Sequence, residues 1–230
     1  MKRILIIPAS GIGGRMQQEL PKQYIKLDNG LSILDTTISR LLTEPFFDLV
    51  VVVLNSKDRH WKNSIHISNA RIRICAGGKE RGDSVRNALM SLKNVAEDDD
   101  WIFVHDAVRP CVNLDDVRRL YAAIRIENTI GGILATEVSD TVKLVDEQQN
   151  IVRTLDRRCI YLAQTPQVFR YRTLLMGYYF CLHNNIAVTD EASAIEALDH
   201  QPLIVDGDKR NIKITTPIDL VLANYFLSTL

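Results

Sequence analysis

The sequence predicts an α/β fold: a mostly parallel β-sheet with helices on both faces. Two observations carry this. Short runs that are apolar at consecutive positions, such as "LVVVVLN" (49–55), suit strands covered on both sides. Between such runs lie segments with apolar residues at helical spacing, and that alternation builds parallel sheets. The chain has 230 residues, 46% hydrophobic and 24% charged. That composition is ordinary for a globular protein, and the length suits one large α/β domain, 1–230, with an ample core.

The elements follow in order. "RILIIP" (3–8) is the first strand, and a glycine-rich turn leads from it toward a helix. "SILDTTISRLLT" (32–43) is a helix, 49–55 a strand, "RIRICAGG" (71–78) a strand, and "RGDSVRNALMSL" (81–92) a helix. "AEDDD" (96–100) reads as a solvated turn before the strand "WIFVHDA" (101–107). The helix "NLDDVRRLYAAIRI" (113–126) and the strand "GGILATEV" (131–138) complete the alternation. The rhythm then changes. "TVKLV" (141–145) and "IVRTL" (151–155) flank the polar "DEQQN" and read as a hairpin. It either protrudes, with two edges that need a partner, or forms an antiparallel edge of the main sheet; pattern alone leaves both open. "YRTLLMGYYFCLHNN" (171–185) is an amphipathic helix. Thr189 is placed to cap a helix over 190–200, with Asp190 and Glu191 in its first turn. "NIKIT" (211–215) puts Lys213 on a late strand. The last helix has Thr216 as N-cap, Pro217 at its first position and Asp219 at its third.

Lys plus Arg and Asp plus Glu are equal, at 28 each. Zero net charge argues against a nucleic-acid coat or a polybasic membrane binder, so any basic site is local. The four cysteines (Cys75, Cys111, Cys159 and Cys181) form no CxxC pair or zinc spacing, and are expected to be reduced and mostly buried. The opening "MKRILIIPAS" resembles a signal peptide, but its apolar run is short and stops at Pro8. No stretch approaches a membrane span, so a cytoplasmic protein is expected.

Three clusters could carry chemistry. The first is the opening loop, where Pro8, Ala9, Ser10, Gly11, Gly13 and Gly14 form a candidate nucleotide cradle. A strand, a glycine turn and a helix present free N–H groups to an anion, and glycines allow close approach of a phosphate. Familiar versions fail. The pattern GxxxxGK followed by Ser or Thr is absent, and GxGxxG meets Met16 at its third glycine. GxSxG around Ser10 meets Pro8. What remains is a cradle backed by two cations, Arg15 and Lys22, suited to a triphosphate whose charge moves onto leaving pyrophosphate. The second cluster, "VHDAVRP" (104–110), puts Asp106 and Arg109 at the carboxyl end of a strand. Ligands of open α/β sheets bind there, and one carboxylate with phosphate oxygens can hold magnesium. His105 reads as structural. The third, "GGKERGDSV" (77–85), offers Gly78 and the Ser84 hydroxyl to a nucleobase. Thr141, Lys143, Arg153 and Arg157 lie on or beside the hairpin, and their convergence with Lys213 is not legible from spacing. A helix N-terminus accounts for Asp190 and Glu191.

Eight segments in order, "PASGIGGRM…PKQY", "GGKERGDSV", "VHDAVRP", "DTVK", "TLDR", "QTPQVF", "TDEASA" and "NIKIT", resemble the 2-C-methyl-D-erythritol 4-phosphate cytidylyltransferases over residues 3–229. The resemblance implies a Rossmann-like nucleotidyltransferase sheet and transfer of CMP from CTP to that sugar-alcohol phosphate, with a divalent metal, Mg²⁺. It implies that Arg15 and Lys22 stabilise the transition state at the α-phosphate. Ala9, Ser10, Gly78 and Ser84 would surround cytosine, and Asp106, with Arg109 in its motif, would meet magnesium and substrate. Thr141, Arg157 and Lys213 would hold the substrate phosphate. It also implies a homodimer in which the 139–158 arm serves the neighbouring site. Three departures from the family pattern stand out: Ser10 for a common alanine, Lys79 for a frequent aspartate, and Ser139 for a frequent arginine. The nearest alternative is a ribitol 5-phosphate cytidylyltransferase, disfavoured by "TLDR" and "TDEASA". A nicotinamide oxidoreductase would need the glycine that Met16 replaces. A non-catalytic nucleotide-binding module would not need Arg15, Lys22, Asp106 and Lys213 together.

Overall fold

The computed structural model describes residues 1–11, 20–126 and 129–229. Its strands are β1 (Arg3–Pro8), β2 (Leu49–Leu54), β3 (Ile72–Ala76), β4 (Trp101–Val104), β5 (Gly131–Glu137), β6 (Lys143–Val145), β7 (Ile151–Thr154), β8 (Tyr161–Arg170) and β9 (Leu203–Asp206). The helices are α1 (Ile33–Leu41), α2 (Arg81–Ser91), α3 (Leu114–Ile124), α4 (Tyr171–His183), α5 (Glu191–Glu196) and α6 (Pro217–Leu227). Among the described residues, seven strands form one sheet in the order β3-β2-β1-β4-β8-β5-β9. β1 is parallel to both β2 and β4, so the chain reverses its direction of winding there. That crevice, at the carboxyl ends of β1 and β4, is where open α/β sheets receive ligands.

The consecutive apolar positions have the expected cause. Successive side chains of a strand point to opposite faces. Ile4 and Ile6 join a core beneath α2, α4 and α5 with Val85, Leu174 and Ile195. Leu5 and Ile7 join a second core with Leu34 and Ile38 of α1 and Val117 and Leu120 of α3. A smaller core seats α6 through Ala223, against Ile25, Val108 and Ile214.

Several expectations need correction. β8 went unread as a strand, yet it lies inside the sheet, antiparallel to both β4 and β5. Its polar residues hid it: Gln164, Thr165 and Gln167 are buried but hydrogen-bonded. "NIKIT" forms no strand. Ile214 N donates to Val108 O at 2.9 Å, so this segment is tied to the loop after β4 rather than to a sheet edge. The cap of α5 is Asp190, not Thr189: its Oδ1 accepts from Ser193 N at 3.0 Å. α5 stops at Glu196, and Asp199 takes the left-handed φ of +59°, which ends any continuation. Asp100 of the "solvated" turn is buried and accepts from Lys2 N and Glu97 N. The cysteines are all free, but only Cys111 and Cys181 are buried; Cys159 is exposed. The capping box of Thr216 and Asp219 on α6, with Pro217 at its start, is as expected.

The hairpin protrudes. β6 and β7 make a separate two-stranded sheet, and every residue of both strands is exposed. Among the described residues no helix is long and apolar enough to cross a membrane.

Candidate active site

Three strand ends converge. β1 ends at Pro8, β3 runs into Gly77 and Gly78, and β4 runs into His105 and Asp106. Between them lies a cavity of about 480 Å³. Pro8, Ala9, Ser10 and Gly11 form one wall, Gly78 to Arg81 another, and Lys22, Asp106 and Lys213 reach it from the remaining sides. A depression of about 500 Å³ between α1 and α6 includes Asp28 and Arg40, but no glycine loop.

The two loops are locked together. Ser84 Oγ donates to Glu80 O at 3.0 Å and accepts from Gly78 N at 3.1 Å. Its one proton is thereby used, so Ser10 Oγ is the donor in the 2.7 Å Ser10–Ser84 bond. Ser84 is fully buried and stands behind the wall, shaping the loop. The glycines are required by close approach. A Cβ on Gly77 would lie 2.4 Å from Ser10 Cβ, and one on Gly78 would lie 2.2 Å from Asp83 Cβ. Gln23, which the sequence reading did not single out, holds the first loop from below: Nε2 donates to Ala9 O at 2.8 Å and Gly11 O at 3.0 Å. Its signal was the unexplained polar residue inside "PKQY". Lys22 opens the short 3₁₀ turn Lys22–Tyr24, and its Nζ lies 3.4 Å from Ile214 O.

Asp106 is the centre of charge. Oδ1 accepts from Arg81 Nε at 3.1 Å. Oδ2 lies 2.9 Å from Lys213 Nζ and 3.4 Å from Arg109 Nε. Burial alone would raise the carboxyl pKa, but Arg81, then Lys213 and Arg109, outweigh it and hold Asp106 well below the usual carboxylate range. Arg109 sits behind Asp106 and also donates to Asn211 O at 2.6 Å. His105 is structural, as expected. Nε2 faces Arg109 O at 3.1 Å, and a carbonyl can only accept, so Nε2 carries the proton. Nδ1 then accepts from Thr165 Oγ1 at 3.0 Å, and Thr165 Oγ1 accepts from Asp106 N at 3.1 Å. Burial pushes the His105 pKa down to about 4, keeping the ring neutral.

Among the described residues no group of three or more His, Cys, Asp or Glu could hold a metal. Asp106 offers a single carboxylate. With Arg81, Lys213 and Arg109 already on its oxygens, it suits no metal caged by the protein, only an ion such as magnesium that keeps most of its waters and takes its other oxygens from substrate phosphates.

Gly13, Gly14 and Arg15 lie outside the described residues. Of the remaining sequence-derived candidates, Pro8, Ala9, Ser10, Gly11, Lys22, Gly78, Asp106 and Lys213 share the one cavity. Thr141 and Arg157 lie at the ends of the hairpin, exposed and outside the cavity wall; Arg157 donates to Ser139 O. Glu191 was read as a helix-end residue, yet it is fully buried and bonded to Arg81.

With this geometry in place, comparison with known proteins is decisive. The profile of the 2-C-methyl-D-erythritol 4-phosphate cytidylyltransferase (IspD) family matches residues 3–229. The chain belongs to this family. The cytidylyltransferase of Ruthia magnifica is 44% identical over 232 residues, covering 97% of this chain and 96% of that protein. That of Buchnera aphidicola is 44% identical, covering 98% and 93%. The crystal structure of the Francisella tularensis cytidylyltransferase superposes with a TM-score of 0.85 at 42% identity, covering 98% of this chain and 100% of that one. The Rossmann-like sheet expected from the IspD resemblance is thus the fold observed.

Proposed function

We propose that the protein transfers CMP from CTP to 2-C-methyl-D-erythritol 4-phosphate, forming 4-diphosphocytidyl-2-C-methyl-D-erythritol and pyrophosphate. The observation that carries this reading is one cavity walled by two locked glycine loops and holding Lys22, Lys213 and Asp106, in a chain of this family. The cytidine half suits the loops, whose backbone can approach a base and phosphates closely. A phosphate oxygen of the sugar-alcohol substrate forms a bond to the α-phosphorus, and the bond from that phosphorus to the bridging oxygen of the β-phosphate breaks. A phosphate monoester is largely dianionic at neutral pH, so no general base is needed. Catalysis then consists of positioning and charge neutralisation by Arg15, Lys22 and the loop N–H groups. Lys213 supplies a cation on the acceptor side, and Arg109 holds Asp106 from behind. Magnesium would be held by Asp106 together with substrate phosphates, and would supply charge neutralisation on the phosphate oxygens.

The arm is read as the dimerisation element, with Thr141 and Arg157 reaching the acceptor phosphate of a second copy. Support comes from the full exposure of β6 and β7, including Ile151 and Val152. An isolated two-stranded hairpin is marginal in water, so a second surface has to cover it. Four free thiols suit a reducing, cytoplasmic location.

The test is pyrophosphate release from CTP and Mg²⁺, with 2-C-methyl-D-erythritol 4-phosphate and ribitol 5-phosphate offered separately. Release with the first acceptor alone is the expected result. Release with the second alone keeps the transfer chemistry and overturns the acceptor. No release with either, from folded protein, overturns the reading.

A further inference from the structure

Glu191 and Tyr178 are outside the cavity wall, yet they govern a residue inside it. Arg81, the first residue of α2, lines the cavity. Its two terminal nitrogens are taken by one carboxylate: Nη1 donates to Glu191 Oε1 at 2.8 Å and Nη2 to Glu191 Oε2 at 3.0 Å. This fork fixes the guanidinium plane. The Nε–H, fixed in the same plane, is then aimed at Asp106 Oδ1, 3.1 Å away. Glu191 is itself held. Tyr178 Oη donates to Glu191 Oε1 at 2.9 Å, and burial, then the Glu191 charge, keep that phenol protonated. Gln167 of β8 fastens the first turn of α5 at both ends, accepting from Ala192 N at 2.8 Å and donating to Asp190 Oδ2 at 2.8 Å.

The consequence is a division of labour between the two oxygens of Asp106. Oδ1 is occupied by a cation clamped from behind. Oδ2 faces Arg109 from behind at 3.4 Å and, at the cavity, Lys213 at 2.9 Å, whose side chain is 40% exposed. An ion pair whose carboxylate is fully buried, as Glu191 is, is a poor device for stability alone, because desolvation offsets much of its Coulomb gain. A device that sets the rotation of a carboxylate has a separate reason to exist.

We propose that Glu191 and Tyr178 are positioning residues for the transfer reaction: they clamp Arg81 so that it orients Asp106, holding Oδ2 on Lys213 at the cavity. This deepens the reading of the site as a cytidylyltransferase centre and rests on it for the reaction concerned. The clamp itself has an independent readout.

The first measurement is the solvent-exchange rate of the Arg81 Nε–Hε NMR signal, identified by its loss in Arg81→Lys. In the unliganded protein it is expected to exchange at least about tenfold more slowly than exposed arginines, and Glu191→Gln is expected to abolish that protection. The second is a double-substitution cycle on the rate of pyrophosphate release. Glu191→Gln is expected to lower kcat/KM about tenfold in the natural background but less than about twofold in Asp106→Asn, because the clamp acts through Asp106. Tyr178→Phe, which removes one hydrogen bond, is expected to shift both readouts in the same direction by about two- to threefold, and it decides the matter if Glu191→Gln fails to fold. Undiminished protection of Arg81 in Glu191→Gln (or in Tyr178→Phe, if that variant decides), or effects that simply multiply with Asp106→Asn, overturns the inference. An active site that releases no pyrophosphate even unaltered would overturn the proposed function, while the exchange measurement still decides the clamp.

Discussion

Two regions of this molecule carry residues proposed to meet the same substrate, and they are built in opposite ways. At the end of β4, Asp106 is buried, and its oxygens meet Arg81, Arg109 and Lys213, all from this chain. On the hairpin, β6 and β7 are exposed throughout, with Ile151 65% and Val152 59% accessible, and Thr141 and Arg157 are exposed outside the wall of the cavity that holds Asp106. The first region is organised before any ligand arrives, which is where transition-state stabilisation requires rigidity. The second is an unfinished surface whose partner has to come from elsewhere. A site assembled from both would join a rigid nucleotide half to an acceptor half completed by assembly.

The strongest way to break this comparison is at the rigid half. Lys22→Ala there is expected to lower kcat by about a thousandfold, the scale of losing one transition-state cation, with little change in Tm, and Arg15→Ala, outside the described residues, is expected to cost as much in kcat. Near-normal turnover in a pyrophosphate-release assay would remove those residues from the mechanism. The assembled half comes next. Arg157→Ala is expected to cost roughly a hundredfold in kcat/KM for the acceptor, without loss of fold. Mixing it with Lys22→Ala sharpens the point. If arms cross between copies, half of the dimers gain one intact site, restoring about a quarter of the activity of the unaltered protein after subunit exchange. If each arm serves its own chain, mixing restores nothing.

Gly78→Ala probes the cavity wall formed by the second glycine loop. Its Cβ would fall 2.2 Å from Asp83 Cβ, so the start of α2 has to shift. About tenfold weaker CTP binding by calorimetry is the expected outcome, with a stability loss of about 1–3 kcal/mol. A pH series tests the buried support. The folded-state pKa of His105 is lowered to about 4 from an ordinary 6.5, so the unfolded chain binds the extra proton between those values. Unfolding free energy should therefore decline as pH falls from about 6.5 to 4, by up to roughly 3 kcal/mol from this group. A flat profile in denaturant titrations would contradict the neutral, buried ring. The smallest effect belongs to Ser10→Ala. It deletes the donor to Ser84 but leaves that hydroxyl its bonds to Glu80 O and Gly78 N, so about 1 kcal/mol or less is expected in a thermal melt.

Much of the rigid half was legible in the chain because its parts are local. Ile4 to Ile7 are apolar in succession because each strand residue faces one of two cores, and that alone announces a covered parallel strand. The turn glycines stand directly after their strands, and the α6 cap is contained in four consecutive residues, Thr216 to Asp219. The hairpin was visible for the same reason, but its alternatives were not resolved, since a strand's period does not tell which sheet it joins.

What the sequence by itself determined, then, is the set of strands and helices whose periodicity and caps lie within a single segment, and the glycine loops that follow β1 and β3. Tertiary structure alone decided the rest. β8, rich in Gln and Thr, becomes an interior strand only because β4, β5 and α5 supply partners for its polar groups. Lys213 belongs to the cavity through a loop that bonds to Val108, not through the strand its pattern suggested. Glu191 reads locally as an acidic helix start, and its bidentate pairing with Arg81 spans 110 positions of sequence. Charge and hydrogen bonding act through space over a few ångströms, and no periodicity along the chain records which distant residues the fold will bring within that distance.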